Sequence, residues 1–117
     1  MATGRLAAYS LSGGVLASPY TVPSNYYSVV NVCFCNTQSS AVTIRLAIAT
    51  SGSPAANEYI EYDTTVVAKG VFERTGLVVD ANKQIVCYTN TSTATAGTGT
   101  IGSCVNVMVY GIETSTT

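Results

Sequence analysis

The sequence predicts an all-β protein, an antiparallel β-sandwich of jelly-roll-like kind folded as a single domain over residues 1–117. Three observations predict it. Apolar and polar residues alternate with period two along several runs, turn-forming residues recur roughly every eight to twelve positions, and no stretch shows convincing helical periodicity. The 117 residues are enough to bury roughly two thirds of the unfolded surface around one core without disulfide staples.

Arg5 to Leu11 alternates weakly and stops at Ser12-Gly13-Gly14, which predicts an edge strand. Ser18-Pro19-Tyr20-Thr21-Val22-Pro23 contains two prolines, which lack a ladder donor and hold their neighbours extended, so it is expected to run along an edge. Residues 1 to about 23 therefore read as an extended N-terminal arm. Tyr26-Tyr27 open the first strong strand, with Val30, Val32 and Phe34 on one face and Val29, Cys33 and Cys35 on the other. Thr37-Gln38-Ser39-Ser40 is a turn, and the next strand sets Val42, Ile44, Leu46 and Ile48 against Thr43, Arg45, Ala47 and Ala49. From Ser28 to Ala49 the pattern reads as a β-hairpin with one face on the core.

Thr50 to Asn57 is a long turn, followed by a short strand at Tyr59 to Asp63 and another at Thr65 to Ala68, ended by Lys69-Gly70. Val71 to Thr75 leads through Gly76 into Leu77 to Asp80, and Gln84 to Thr89 places Ile85 and Cys87 opposite Val86 and Tyr88. Asn90 to Thr100 is uncharged and of low complexity, the composition of a flexible hairpin loop. Ser103 to Gly111 is the last strand, with Val105, Val107 and Val109 against Asn106, Met108 and Tyr110, and a short polar tail over 114–117 closes the chain.

The chain is poorly equipped for catalysis. It has no histidine, which excludes Ser-His-Asp and Cys-His nucleophiles, histidine general bases and histidine metal sites. Glu58, Glu61 and Asp63 are the one acid cluster, with Glu61 and Asp63 expected on a shared strand face; it reads as a solvated edge that discourages sheet pairing more readily than as a cation or paired-carboxylate site. Cys33 and Cys35 share a strand face about 7 Å apart, too far to bridge each other; all four cysteines read first as small buried or half-buried hydrophobes, ahead of a disulfide from either to Cys87 or Cys104 and of a Cys-x-Cys zinc site. No catalytic residue, metal or cofactor is expected, and the chain is not expected to be an enzyme.

Charged residues make up 9% of the chain, against roughly 25% in an average soluble domain, and the formal net charge is −1. There is no basic footprint for nucleic acid. No run reaches the 18 or so apolar residues of a membrane-spanning helix, and the N-terminus lacks the apolar region of a secretory signal, so synthesis in the cytoplasm is expected. A weakly polar, uncharged exterior suits a protein packed against copies of itself or a scaffold. Arg5, Tyr9, Tyr20, Tyr26, Tyr27, Glu73 and Arg74 are the interface candidates, tyrosines as amphipathic anchors and the charged pair as cross-subunit partners.

Several segments carry a resemblance. Tyr20-Thr21-Val22-Pro23 through Val32 and Cys35-Asn36, Ala41 to Ala49, Tyr59-Ile60-Glu61-Tyr62-Asp63, Gly70 to Leu77 and Val105 to Gly111 together resemble small virion structural proteins of tailed bacteriophages, notably phages of aquatic bacteria. The likeness lies in strand and turn residues from about Tyr20 to Glu113 and includes no active-site signature. It implies a β-sandwich module repeated on the virion, most simply a capsid decoration, or cement, protein on the outer surface of the major capsid lattice, forming a symmetric homo-oligomer such as a trimer. The alternative it leaves is a tail, neck or fibre/baseplate module contacting host glycans.

Overall fold

Eight alternating segments become eight strands because each has one apolar face to bury, and in the computed structural model, which describes residues 3–95 and 97–117, they do so as two facing sheets. The strands are β1 (Thr3–Leu11), β2 (Ala17–Thr21), β3 (Tyr26–Asn36), β4 (Val42–Ala49), β5 (Tyr59–Val66), β6 (Val71–Val79), β7 (Gln84–Thr89) and β8 (Val105–Ser115), with one 3-10 turn at Ala56–Glu58. One sheet has the order β1-β8-β3-β6 and the other β2-β7-β4-β5, all pairs antiparallel. Strands pair 1 with 8, 2 with 7, 3 with 6 and 4 with 5, as if one long hairpin had been rolled into a sandwich. That is the double-sheet jelly-roll arrangement.

Rolling has a consequence for local structure: of the seven links between consecutive strands, only β4 to β5 stays within a sheet. The hairpin expected from Ser28 to Ala49 is therefore not one. β3 pairs with β8 and β6, while β4 pairs with β7 and β5, and Thr37 to Ala41 arches between the sheets. Buried Asn36 holds the arch: its Nδ2 donates to the carbonyls of Ser40 at 2.9 Å and Val67 at 3.1 Å, and its Oδ1 accepts from the Gln38 amide at 3.0 Å. Both strands still present their apolar stripes to the same core, from opposite sides.

The N-terminal stretch read as an extended arm supplies the two edge strands that its alternation and its prolines predict, and both are paired into the sandwich. Thr3–Leu11 and Ala17–Thr21 are edge strands, one in each sheet, and β8 runs on to Ser115, into the segment expected to be a tail. The core is the inner stripe of every strand, led by Leu11, Val30, Val32, Phe34, Ile44, Leu46, Ile85, Val105 and Val107. Phe34 and Phe72 meet across β3 and β6 with ring centroids 6.3 Å apart.

Tyr20, on the edge strand β2, closes one side of the sandwich. It is buried, and its hydroxyl lies 2.7 Å from Ser28 Oγ and donates to Glu113 Oε2 at 2.7 Å, tying β2 to β3 and β8 of the other sheet. Burial, and then the carboxylate accepting its proton, push the Tyr20 pKa up to about 12. Because the folded value lies above the unfolded value near 10, this contribution to stability is complete below pH 10 and is lost as pH rises toward 12. Urea unfolding of the wild type and Tyr20→Phe between pH 9 and pH 12 checks it: the wild type is expected to lose more stability over that window than the variant, and parallel curves would refute the linkage.

Candidate functional site

The outward face of the β1-β8-β3-β6 sheet is the surface that the composition anticipates and that the strand register assembles. Register aligns Ser10, Asn106, Cys35 and Val71 in one row across the four strands, and Ala8, Met108, Cys33 and Glu73 in the next. A further row holds Arg5, Tyr110 and Asn31, and the last holds Thr3, Ile112, Val29 and Val78. Inward neighbours of these residues fill the core, while the outer face is mixed, with apolar side chains set among Ser10, Asn106, Asn31, Arg5 and Glu73. Val71 at 63%, Val78 at 67%, Met108 at 42% and Ile112 at 44% relative exposure are large hydrophobic side chains left to solvent.

Over the upper rows lies a groove of about 410 Å³, lined among others by Tyr9, Ser10, Cys33, Cys35, Asn106 and Met108. Ser10 Oγ donates to Asn106 Oδ1 at 2.6 Å, and the buried Cys104 thiol donates to the same oxygen at 3.3 Å, so the polar atoms at one end of the groove are paired with each other. Burial, then the neighbouring Glu73 carboxylate, push the Cys33 thiol up, and burial does so strongly for Cys87. A thiol held in its protonated form is a weak nucleophile, and with no histidine in the chain no imidazole stands ready to activate one. Glu73 itself accepts a hydrogen bond from the Tyr110 hydroxyl, which raises the Tyr110 pKa.

The acid cluster does not assemble. Glu61 lies opposite Leu46, whereas Thr64 lies opposite Ile44, so one extra residue is inserted between them, with Asp63 at φ 54°. This bulge turns Glu61 and Asp63 to different neighbours instead of the shared face expected from period two. Glu61 pairs with Arg74 across the two sheets at the β5/β6 side and accepts from Thr64 Oγ1 at 2.8 Å. Asp63 accepts from Arg45 Nε at 2.7 Å. Glu58 accepts from the amides of Ala55 at 2.8 Å and Thr50 at 3.2 Å, closing the turn before β5. Among the described residues no three Cys, Asp or Glu side chains are grouped to hold a metal ion.

Arg45 lies between two rings, 4.1 Å from the Tyr62 centroid and 4.5 Å from that of Tyr88, on the outer side of the other sheet. Tyr59 meets Tyr62 edge-on at 5.1 Å. Tyr62 and Tyr88 each spend a ring face on the guanidinium, which reduces what they offer to a sugar ring.

The interface candidates divide accordingly. Arg5 and Glu73 are exposed on opposite edge strands of the β1-β8-β3-β6 outer face, and Tyr27 is exposed at its far end. Tyr9 and Tyr26 are half-buried and pack on the core, Tyr20 is inside it, and Arg74 is engaged with Glu61. Sequence reading missed Val71, Val78, Met108 and Ile112, whose signal was present in the apolar residues on both phases of the alternation in these strands. No family model, curated protein or solved structure matches the chain.

Proposed function

We propose that the protein is a virion structural protein of a tailed phage, a capsid decoration protein that binds the outer surface of the major capsid lattice as a homo-oligomer and stabilises the head. The observation that carries this reading is where the apolar surplus goes. A nearly uncharged chain leaves large hydrophobic side chains exposed on one outer sheet face, and Val15, Leu16, Val67 and Ile101 exposed on loops at the end of the sandwich where β3 gives way to β4. A free monomer gains nothing from such surfaces, whereas a protein that works by adding interface area uses both. The jelly-roll order agrees, since that architecture gives a rigid, brick-like module. The resemblance to small phage virion proteins supplies the setting.

Binding to the assembled shell and not to free subunits would stabilise the shell by mass action. The test is to incubate purified protein with heads that lack it, locate it by cryo-electron microscopy, and compare heat resistance with and without it. Density repeated over the lattice together with higher heat tolerance is the expected result. Density confined to tail, neck or fibre would overturn the decoration role in favour of a tail module.

A further inference from the structure

The 90–104 loop meets the outer face of the β1-β8-β3-β6 sheet at its Ser10 end, where Gly97 and Gly99 approach Tyr9 and Ser10, while the rows beyond it carry exposed Val71, Val78, Met108 and Ile112. We propose that a second copy covers these rows, forming a face-to-face dimer whose two-fold axis runs parallel to the strands; this deepens the homo-oligomer of the proposed function and rests on that reading for its setting.

Size comes first. Four strands about 4.8 Å apart and nine residues long cover roughly 570 Å² of flat footprint, of the same order as the ~800 Å² per partner of a stable interface. Sheets that pack face to face do so in near alignment and interdigitate apolar side chains, which is what Val71, Val78, Met108 and Ile112 are placed to do.

Charge then selects the geometry. The rows of this face carry one cation, Arg5, on the edge strand β1, and one anion, Glu73, on the opposite edge strand β6. Arg5 is exposed and forms no salt bridge with any described residue. A two-fold axis parallel to the strands lays β1 over β6 of the other copy, so that each Arg5 faces the partner's Glu73, one row away along the strand and within the reach of an arginine side chain. An axis across the strands would lay β1 on β1 and β6 on β6, bringing like charges together. The favoured axis also lays β8 over β3, so Met108 enters the partner's thiol groove at the level of Cys33, its own register partner. The patch is thus complementary to itself, as an isologous dimer requires and a head-to-tail trimer does not.

Sedimentation of the purified protein over a range of concentrations tests the proposal, with far-UV circular dichroism to establish that each variant is folded. The wild type is expected to be a dimer, and Met108→Glu, at an exposed position, a folded monomer. Arg5→Glu and Glu73→Arg are each expected to weaken the dimer about tenfold, since each change is felt twice across the axis, and the double variant R5E/E73R to regain affinity. Alkylation of Cys33 and Cys35 should be slower in the dimer than in Met108→Glu. A wild type that stays monomeric at 100 μM (about the upper end of practical sedimentation), a trimer, or a double variant no tighter than the single ones would overturn it. A monomer that still binds heads would remove this interface and leave the decoration role standing; a dimer that ignores heads would do the reverse.

Discussion

Val107→Asp is expected to abolish folding. Val107 is 1% exposed in the central strand β8, with Tyr9 of β1 and Phe34 of β3 as its register neighbours on the inner face. A carboxylate there would be buried without a cation in its row. An unpaired buried charge costs about 3–5 kcal/mol even after relaxation, a large share of the roughly 5–15 kcal/mol that holds a domain of this size together. The lost valine packing adds to that cost. Met108→Asp, one residue along, points the same group outward at a 42% exposed position and is expected to change the stability of the monomer itself by about 0.5 kcal/mol or less. Urea unfolding followed by circular dichroism separates the pair: no cooperative transition for Val107→Asp, and a cooperative transition for Met108→Asp whose midpoint falls only by what the lost dimer contact contributes. A cooperative Val107→Asp protein would show that the two faces of β8 have been exchanged.

That contrast marks what period two makes legible. The inner and outer faces of β3 and β8 follow from alternation alone, because a residue's side of a strand depends only on its parity, whereas in β4 and β7 Ala47, Ala49 and Val86 are buried on the opposite face as well. Which strand lies beside which does not follow. The turn at Thr37 to Ser40 is equally good as a hairpin loop or as an arch between sheets, and the choice falls to partners more than thirty residues away, Val67 holding Asn36 and β8 taking the place beside β3. The 90–104 loop shows the same limit. Its composition is that of a flexible linker, yet it is pinned by Gly97 N–H to the Ser10 carbonyl at 2.8 Å, Gln38 Nε2 to the Thr91 carbonyl at 2.8 Å and Ser12 Oγ to the Ala94 carbonyl at 2.9 Å. Parity also fails wherever a bulge resets it, as Asp63 does for the acid cluster. The candidate surface was legible as a tendency, in the scarcity of charge, and not as a place: Arg5 and Glu73 are 68 positions apart in the chain and share a face only through the pairings of β1 with β8, β8 with β3 and β3 with β6.

Gly111 is where sequence and structure part most usefully, and Gly111→Ala is the second substitution expected to have a large effect. Read in sequence, Gly111 ends the last strand; in the fold β8 passes through it to Ser115, paired on both sides, with Gly4 of β1 opposite and Val30 of β3 on the other flank. Its φ is 154°, and a Cβ there would lie 2.1 Å from the Val29 carbonyl oxygen and 2.9 Å from the Val30 Cα, both backbone atoms of a central strand. Nothing flexible stands in the way that could swing aside, so β3 and β8 must separate, and they form the pair about which the sheet is built. The expected cost is on the order of 4 kcal/mol, the range reserved for backbone strain at a position that only glycine satisfies. Gly52→Ala supplies the comparison: a Cβ at Gly52 meets nothing within 4 Å, and the same chemical change there is expected to be neutral or to stabilise by about 0.4–1 kcal/mol through the unfolded chain. A large fall of the urea midpoint for Gly111→Ala beside an unchanged or raised midpoint for Gly52→Ala would show that the close approach of β3 to β8 at Gly111, and not glycine content as such, limits this fold. Equal shifts would mean that the strand ends at Gly111 after all, and that the ladder from Ile112 to Ser115 contributes little.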